Sequence, residues 1–202
     1  MIWLPLINEY LENPLHLAGR IIIPFIMILV AGYTGFGGLL LVALLIFTVV
    51  TGTAINLVKL RLSGMLRRII VCERSKISLF FTYTGTFILL YTLMFFPSVV
   101  AGAWFEGISI IPYAILTIML AAICGTLVGV VSHGLGGVHL YAILVTVPLV
   151  LLGVVRNPID LFFPMVYVAG IIDLPPLWGL PPLVVGISYG LLLIYVSRLQ
   201  DR

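Results

Sequence analysis

"KLRLSGMLRRIIVCERSK", residues 59–76, holds six of the ten basic residues in a 202-residue chain that is 62% hydrophobic and 8% charged. On either side of it lie apolar runs of 16 to 24 residues. A water-exposed chain cannot hide that much hydrocarbon, so the chain reads as an integral membrane protein. Each crossing of the bilayer core takes about 20 apolar helical residues, which leaves room for roughly six crossings and no soluble catalytic domain.

The spans are read at 21–36, 39–57, 77–100, 108–131, 138–155 and 182–197, each flanked by charge, Gly or Pro. With the N-terminus inside, Arg20, Lys59, Arg61, Arg67, Arg68, Arg74, Lys76, Arg198 and Arg202 fall on the cytoplasmic side and only Arg156 falls outside. This asymmetry follows the positive-inside rule and predicts a multi-pass protein of the plasma or inner membrane with both termini cytoplasmic. The net charge of +3 therefore belongs to the membrane surface, and membrane lipid rather than nucleic acid is its expected partner. The first two spans are joined by "GFGG", which also permits a re-entrant hairpin, and neither choice moves residues 59–76 to the other side.

The N-terminal "MIWLPLINEYLENPLHLAGR" carries Glu9 and Glu12 and no basic leader, so it is not read as a cleaved signal. Residues 1–20 are expected to include a short interfacial helix, with Asn13 as cap and Pro14 at the first helical position, where a missing N–H costs little. Before the last span, residues 156–181 are broken by several prolines, each of which removes a backbone donor. Irregular backbone exposed to lipid is not tolerated at depth. The segment is therefore expected to form an extracellular re-entrant pair of short helices, with Tyr167 and Trp178 at interfacial depth. No internal repeat separates the 1–202 chain into halves, so it reads as one all-α domain.

Placed on a helix, Val58, Leu62, Met65, Leu66, Ile69 and Ile70 gather on one side and Arg61, Arg67 and Arg68 on the other. The 58–76 loop is thus expected to hold an amphipathic helix at the cytoplasmic surface. Contact with anionic lipid explains the charge, at about 1 kcal/mol per basic residue near the surface. It does not explain Gly64 in mid-helix, where Gly costs about 1 kcal/mol relative to Ala.

Over nearly its full length the chain resembles the transmembrane subunit of type-2 ABC exporter permeases. The likeness rests on "LENPLHLAGRIIIPF" as an amphipathic entry helix, on two spans and then Gly64, Leu66, Ile69, Ser75 and Lys76 in order, and on "NPIDLFFPMVYVAGIIDLPPLWGLPP" before the last span. Glu73 stands where the family carries a Pro. The resemblance implies a coupling helix that docks on a separate nucleotide-binding subunit, carried here by Leu62, Gly64, Met65, Leu66, Arg67, Arg68 and Ile69. It also implies a dimer with a second copy or a close relative. The chain has no GxxxxGK[ST] phosphate loop, so it is not itself an ATPase. Its cofactors would be ATP and Mg held by the partner subunit. A haem-exporter-like subunit of cytochrome maturation is the near alternative, and a channel or membrane assembly factor without an ATPase is the alternative from another class.

Few ionisable residues lie within the spans, which argues against an ion-coupled pump. Thr48, Thr51, Asn56, Tyr83, Thr86 and Tyr91 are polar groups in otherwise apolar helices, either tying helices together or lining a substrate path. His133 and His139 share no helix face and have no Cys or carboxylate beside them, so a tight turn is expected there rather than a metal site. Ser132, His133 and Asp173 have the residue types of a hydrolytic triad, but Asp173 falls on the opposite side of the membrane. Cys72 and Cys124 are poorly placed to pair.

Overall fold

The computed structural model describes residues 14–64, 76–152, 162–169 and 180–198. They form helices α1 (Pro14–Gly32), α2 (Gly37–Leu62), α3 (Lys76–Glu106), α4 (Ile110–Val131), α5 (Leu135–Leu152), α6 (Pro164–Val168) and α7 (Leu180–Arg198). Helices α2, α4 and α5, together with Phe80–Glu106 of α3, are long and apolar enough to cross a membrane. The 26 residues of α2 reach about 39 Å at 1.5 Å per residue, more than a hydrocarbon core of about 30 Å. In α1 and α7 the apolar stretches are shorter, Ala18–Gly32 and Pro181–Leu192.

Glycine sets the ends of α1, α2 and α3. Gly64 has φ 72°, a left-handed conformation that a side chain disfavours, and its N–H bonds the Arg61 carbonyl at 3.1 Å. This closes α2 immediately after Leu62, with the Ser63 N–H on Lys59 at 2.9 Å. Gly35 and Gly107 end α1 and α3 in the same left-handed way.

Helix α2 is the axis of the bundle and packs against α1, α3, α4, α5 and α6. Leu41, Val42, Leu45, Val49, Val50, Ala54 and Val58 on it are fully buried. Its closest partner is α4, along Gly125 and Gly129. A Cβ on Gly125 would lie 2.7 Å from the Val50 carbonyl oxygen, and one on Gly129 would lie 3.0 Å from Leu57 Cβ and 3.1 Å from the Ala54 oxygen. Lipid is as apolar as a leucine side chain, so helices in a bilayer associate largely through such close backbone approach. Helix α6 is buried at every residue against α4, α2 and α5.

Two expectations are corrected. Residues 58–70 do not form one amphipathic helix: α2 runs through Val58 and stops at Leu62 because Gly64 turns the chain. Val58 is fully buried in the bundle, while Leu62, on the same face one turn later, is 61% exposed. Pro14–Arg20 is not a separate element, since no proline falls between Pro14 and Pro24 to interrupt the helix, and α1 continues through Arg20 and past Pro24 to Gly32. Tyr167, expected at interfacial depth, is buried against protein and stacks on Tyr113 with ring centroids 4.5 Å apart. Residues 1–13, most of the 58–76 loop, and residues 153–161 and 170–179, with Trp178, lie outside the described residues.

Candidate functional site

Two groups of polar side chains stand out, one at the root of the basic loop and one within the bundle. At the root, the last turn of α2 carries Lys59 and Arg61. Lys59 is exposed. Arg61 turns inward to the end of α4, where its Nη1 donates to the Val130 carbonyl at 3.3 Å and its Nη2 donates to the Ser132 carbonyl. The last carbonyls of a helix have no partner within it and form the negative end of its dipole, so a guanidinium satisfies and neutralises them together. Ser132 is fully buried, and its Oγ donates to the Val128 carbonyl at 2.6 Å. Of the candidate coupling residues, Leu62 and Gly64 stand just beyond this contact; Met65, Leu66, Arg67, Arg68 and Ile69 lie outside the described residues.

Within the bundle, α3 presents Tyr83, Phe87 and Tyr91 at four-residue intervals along one buried face. Their ring centroids are 4.7 Å and 6.0 Å apart in succession. The Tyr83 hydroxyl donates across to the Thr53 carbonyl of α2 at 2.8 Å. Thr84 and Thr126 share a hydrogen bond at 3.2 Å that ties α3 to α4. Tyr91 lies over Gly52, where any Cβ would strike its hydroxyl. Asn56 donates to the Gly52 carbonyl at 2.8 Å, and Thr86 to the Thr82 carbonyl at 2.9 Å. Tyr83, Tyr91 and Asn56 are therefore gathered at the α2–α3 contact, where Tyr83 ties the two helices together.

Thr48 and Thr51 stand apart from that contact. They lie with Leu44, Phe47 and Ile55 on the one face of α2 that its neighbours cover only in part. The Thr51 hydroxyl is buried with no hydrogen-bond partner among the described residues, as are those of Thr53, Ser98 and Thr146.

His133 and His139 are exposed, and no group of three metal-ligating side chains occurs among the described residues. Sequence reasoning missed Phe87, the Gly125 and Gly129 contact, and the destination of Arg61. The four-residue spacing of the aromatic residues and of the glycines was a usable signal for the first two; nothing local to residues 59–76 signals the third. Comparison with family models, with curated proteins and with solved structures finds no match. The class defined by the fold is a helical membrane protein, with four helices among the described residues long and apolar enough to cross the bilayer.

Proposed function

We propose that the chain is the transmembrane subunit of an ATP-driven exporter of the type-2 ABC permease kind, crossing the plasma or inner membrane six times with both termini cytoplasmic. It works as a dimer with a second copy or a close relative and draws energy from separate nucleotide-binding subunits that hold ATP and Mg. The observation that carries the reading is the attachment of the basic loop: residues 65–75 follow directly from α2, the helix on which most of the others pack. A partner engaging that loop would therefore act on the axis of the bundle.

The partly covered face of α2 supports a path between two copies. Thr48 sets a polar side chain in an otherwise apolar wall, which suits an amphipathic or lipid-like substrate moving outward, while the Thr51 hydroxyl is buried. Asn56, Tyr83 and Tyr91 then position that wall from behind. Residues 156–181, of which α6 is buried among α2, α4 and α5, form the outer re-entrant segment of this reading.

The charges of the loop would set the orientation and association rate of the ATPase subunit. Replacing Arg67 and Arg68 by Glu is expected to lower recovery of a bound ATPase subunit, and its stimulated hydrolysis, by about tenfold, the equivalent of about 1.4 kcal/mol of association free energy. Unchanged recovery and stimulation in the double variant would remove the loop from the coupling interface.

A further inference from the structure

Arg61 stands one turn before the point where the basic loop begins, yet its side chain is committed to another helix. Its guanidinium bonds the carbonyls of Val130 and Ser132 at the end of α4. Three residues later Gly64 bends the chain out of α2 at φ 72°. On the far side of the contact, Ser132 is buried while His133 is exposed, and α5 starts at Leu135. Arg61 thus sits between two places where the backbone changes direction.

Further along the same helix pair, Gly125 and Gly129 bring α4 against Val50, Thr53, Ala54 and Leu57. Helices held by close backbone packing along their length and by a forked hydrogen bond at one end have little freedom to slide or rotate against each other. The planar guanidinium suits this task, because its donors can hold two carbonyls in a fixed geometry that a single ammonium cannot reproduce.

We propose that Arg61 is a positioning residue that latches the end of α2 to the α4–α5 turn, so that α2, α4 and the start of α5 answer as one body to load on the basic loop. The role of that load rests on the exporter reading; the latch itself does not. Without Arg61 the loop would pull on α2 alone, and the end of α4 would fray.

The test is hydrogen exchange of the purified full-length chain in lipid nanodiscs, comparing wild type with Arg61→Gln and Arg61→Lys. Exchange is expected to rise about tenfold over residues 128–140 in Arg61→Gln, to rise less in Arg61→Lys, and to stay unchanged over residues 89–99 of α3. Unchanged exchange over residues 128–140 in both variants would overturn the latch, and so would acceleration spread evenly over the bundle. If Arg61→Gln does not fold, Arg61→Lys decides by the same criterion. In a reconstituted complex with its nucleotide-binding subunit, Arg61→Gln is expected to keep ATP hydrolysis and lose substrate export. A wild-type chain that binds no such subunit would sink the exporter reading and leave the exchange result to decide the latch.

Discussion

Helices α4 and α7 both carry glycines four residues apart, and they use them in opposite ways. A Cβ on Gly125 or Gly129 would press into the backbone or side chains of α2, whereas one on Gly186 or Gly190 would meet nothing within 4 Å. Beside Gly186 and Gly190, Leu183, Ile187, Leu191 and Ile194 are all more than half exposed. The spacing that allows two helices to approach is therefore not evidence that they do; a partner of complementary relief decides it, and α2 is that partner for α4. Helix α5 resembles α7 in leaving Leu140, Ile143, Leu144, Val147 and Leu151 exposed, surface that suits lipid.

The comparison is easiest to break at its tight side. Gly125→Val would force two methyl groups toward the Val50 carbonyl and the Thr53 Cβ, which can yield only by parting the helices. Overpacking of this kind typically costs 1–3 kcal/mol, and about 3 kcal/mol is expected here because backbone is the obstacle. Reversible unfolding in mixed micelles measures it, and a loss under about 1 kcal/mol would mean that the α2–α4 contact is looser than described.

A smaller effect is expected where a side chain ties the same core. Tyr83→Phe keeps the ring contact with Phe87 and removes only the hydrogen bond to the Thr53 carbonyl. Interhelical hydrogen bonds in membranes average about 0.6 kcal/mol, so a loss of that size is expected in the same unfolding experiment. A loss above about 2 kcal/mol would identify this bond as a principal support of the bundle.

The smallest effect belongs to the open side. Gly186→Ala with Gly190→Ala adds methyl groups into unoccupied space, and each replaces a poor helix former by a good one. Stability is expected to stay level or rise by up to about 1 kcal/mol. A marked loss, or a change in oligomeric state by light scattering, would show that this face of α7 is covered in the assembled protein.

Much of this architecture was legible in the residues. Long apolar runs punctuated by Gly and Pro gave the helices nearly in place, and the glycines of "GFGG" and "EGIS" mark the turns that end α1 and α3. Gly64 was singled out as anomalous for a mid-helix position, and its left-handed φ resolves the anomaly: it ends a helix. The burial of Tyr167 was not legible, because an aromatic residue near prolines suits a membrane interface and a protein core equally well. Arg61 was grouped with Arg67 and Arg68 by periodicity, but its partners are carbonyls of another helix, and a backbone acceptor leaves no trace in side-chain pattern. The polar residues of α2 and α3 do not gather in one place: Tyr83, Tyr91 and Asn56 lie at the α2–α3 contact, Thr48 and Thr51 on another face of α2. Which of them tie helices and which face outward depended on the rotation of each helix, and polar residues on both sides of α2 left that unsigned.

The most direct measurement is gentle detergent co-purification of the tagged chain from its native membrane, with mass spectrometry of bound proteins and an ATPase assay of the eluate. A stoichiometric ATP-binding-cassette subunit with vanadate-sensitive activity is the expected result for an exporter subunit. A chain that elutes folded and alone would contradict that reading and favour a channel or assembly factor whose basic loop meets only lipid.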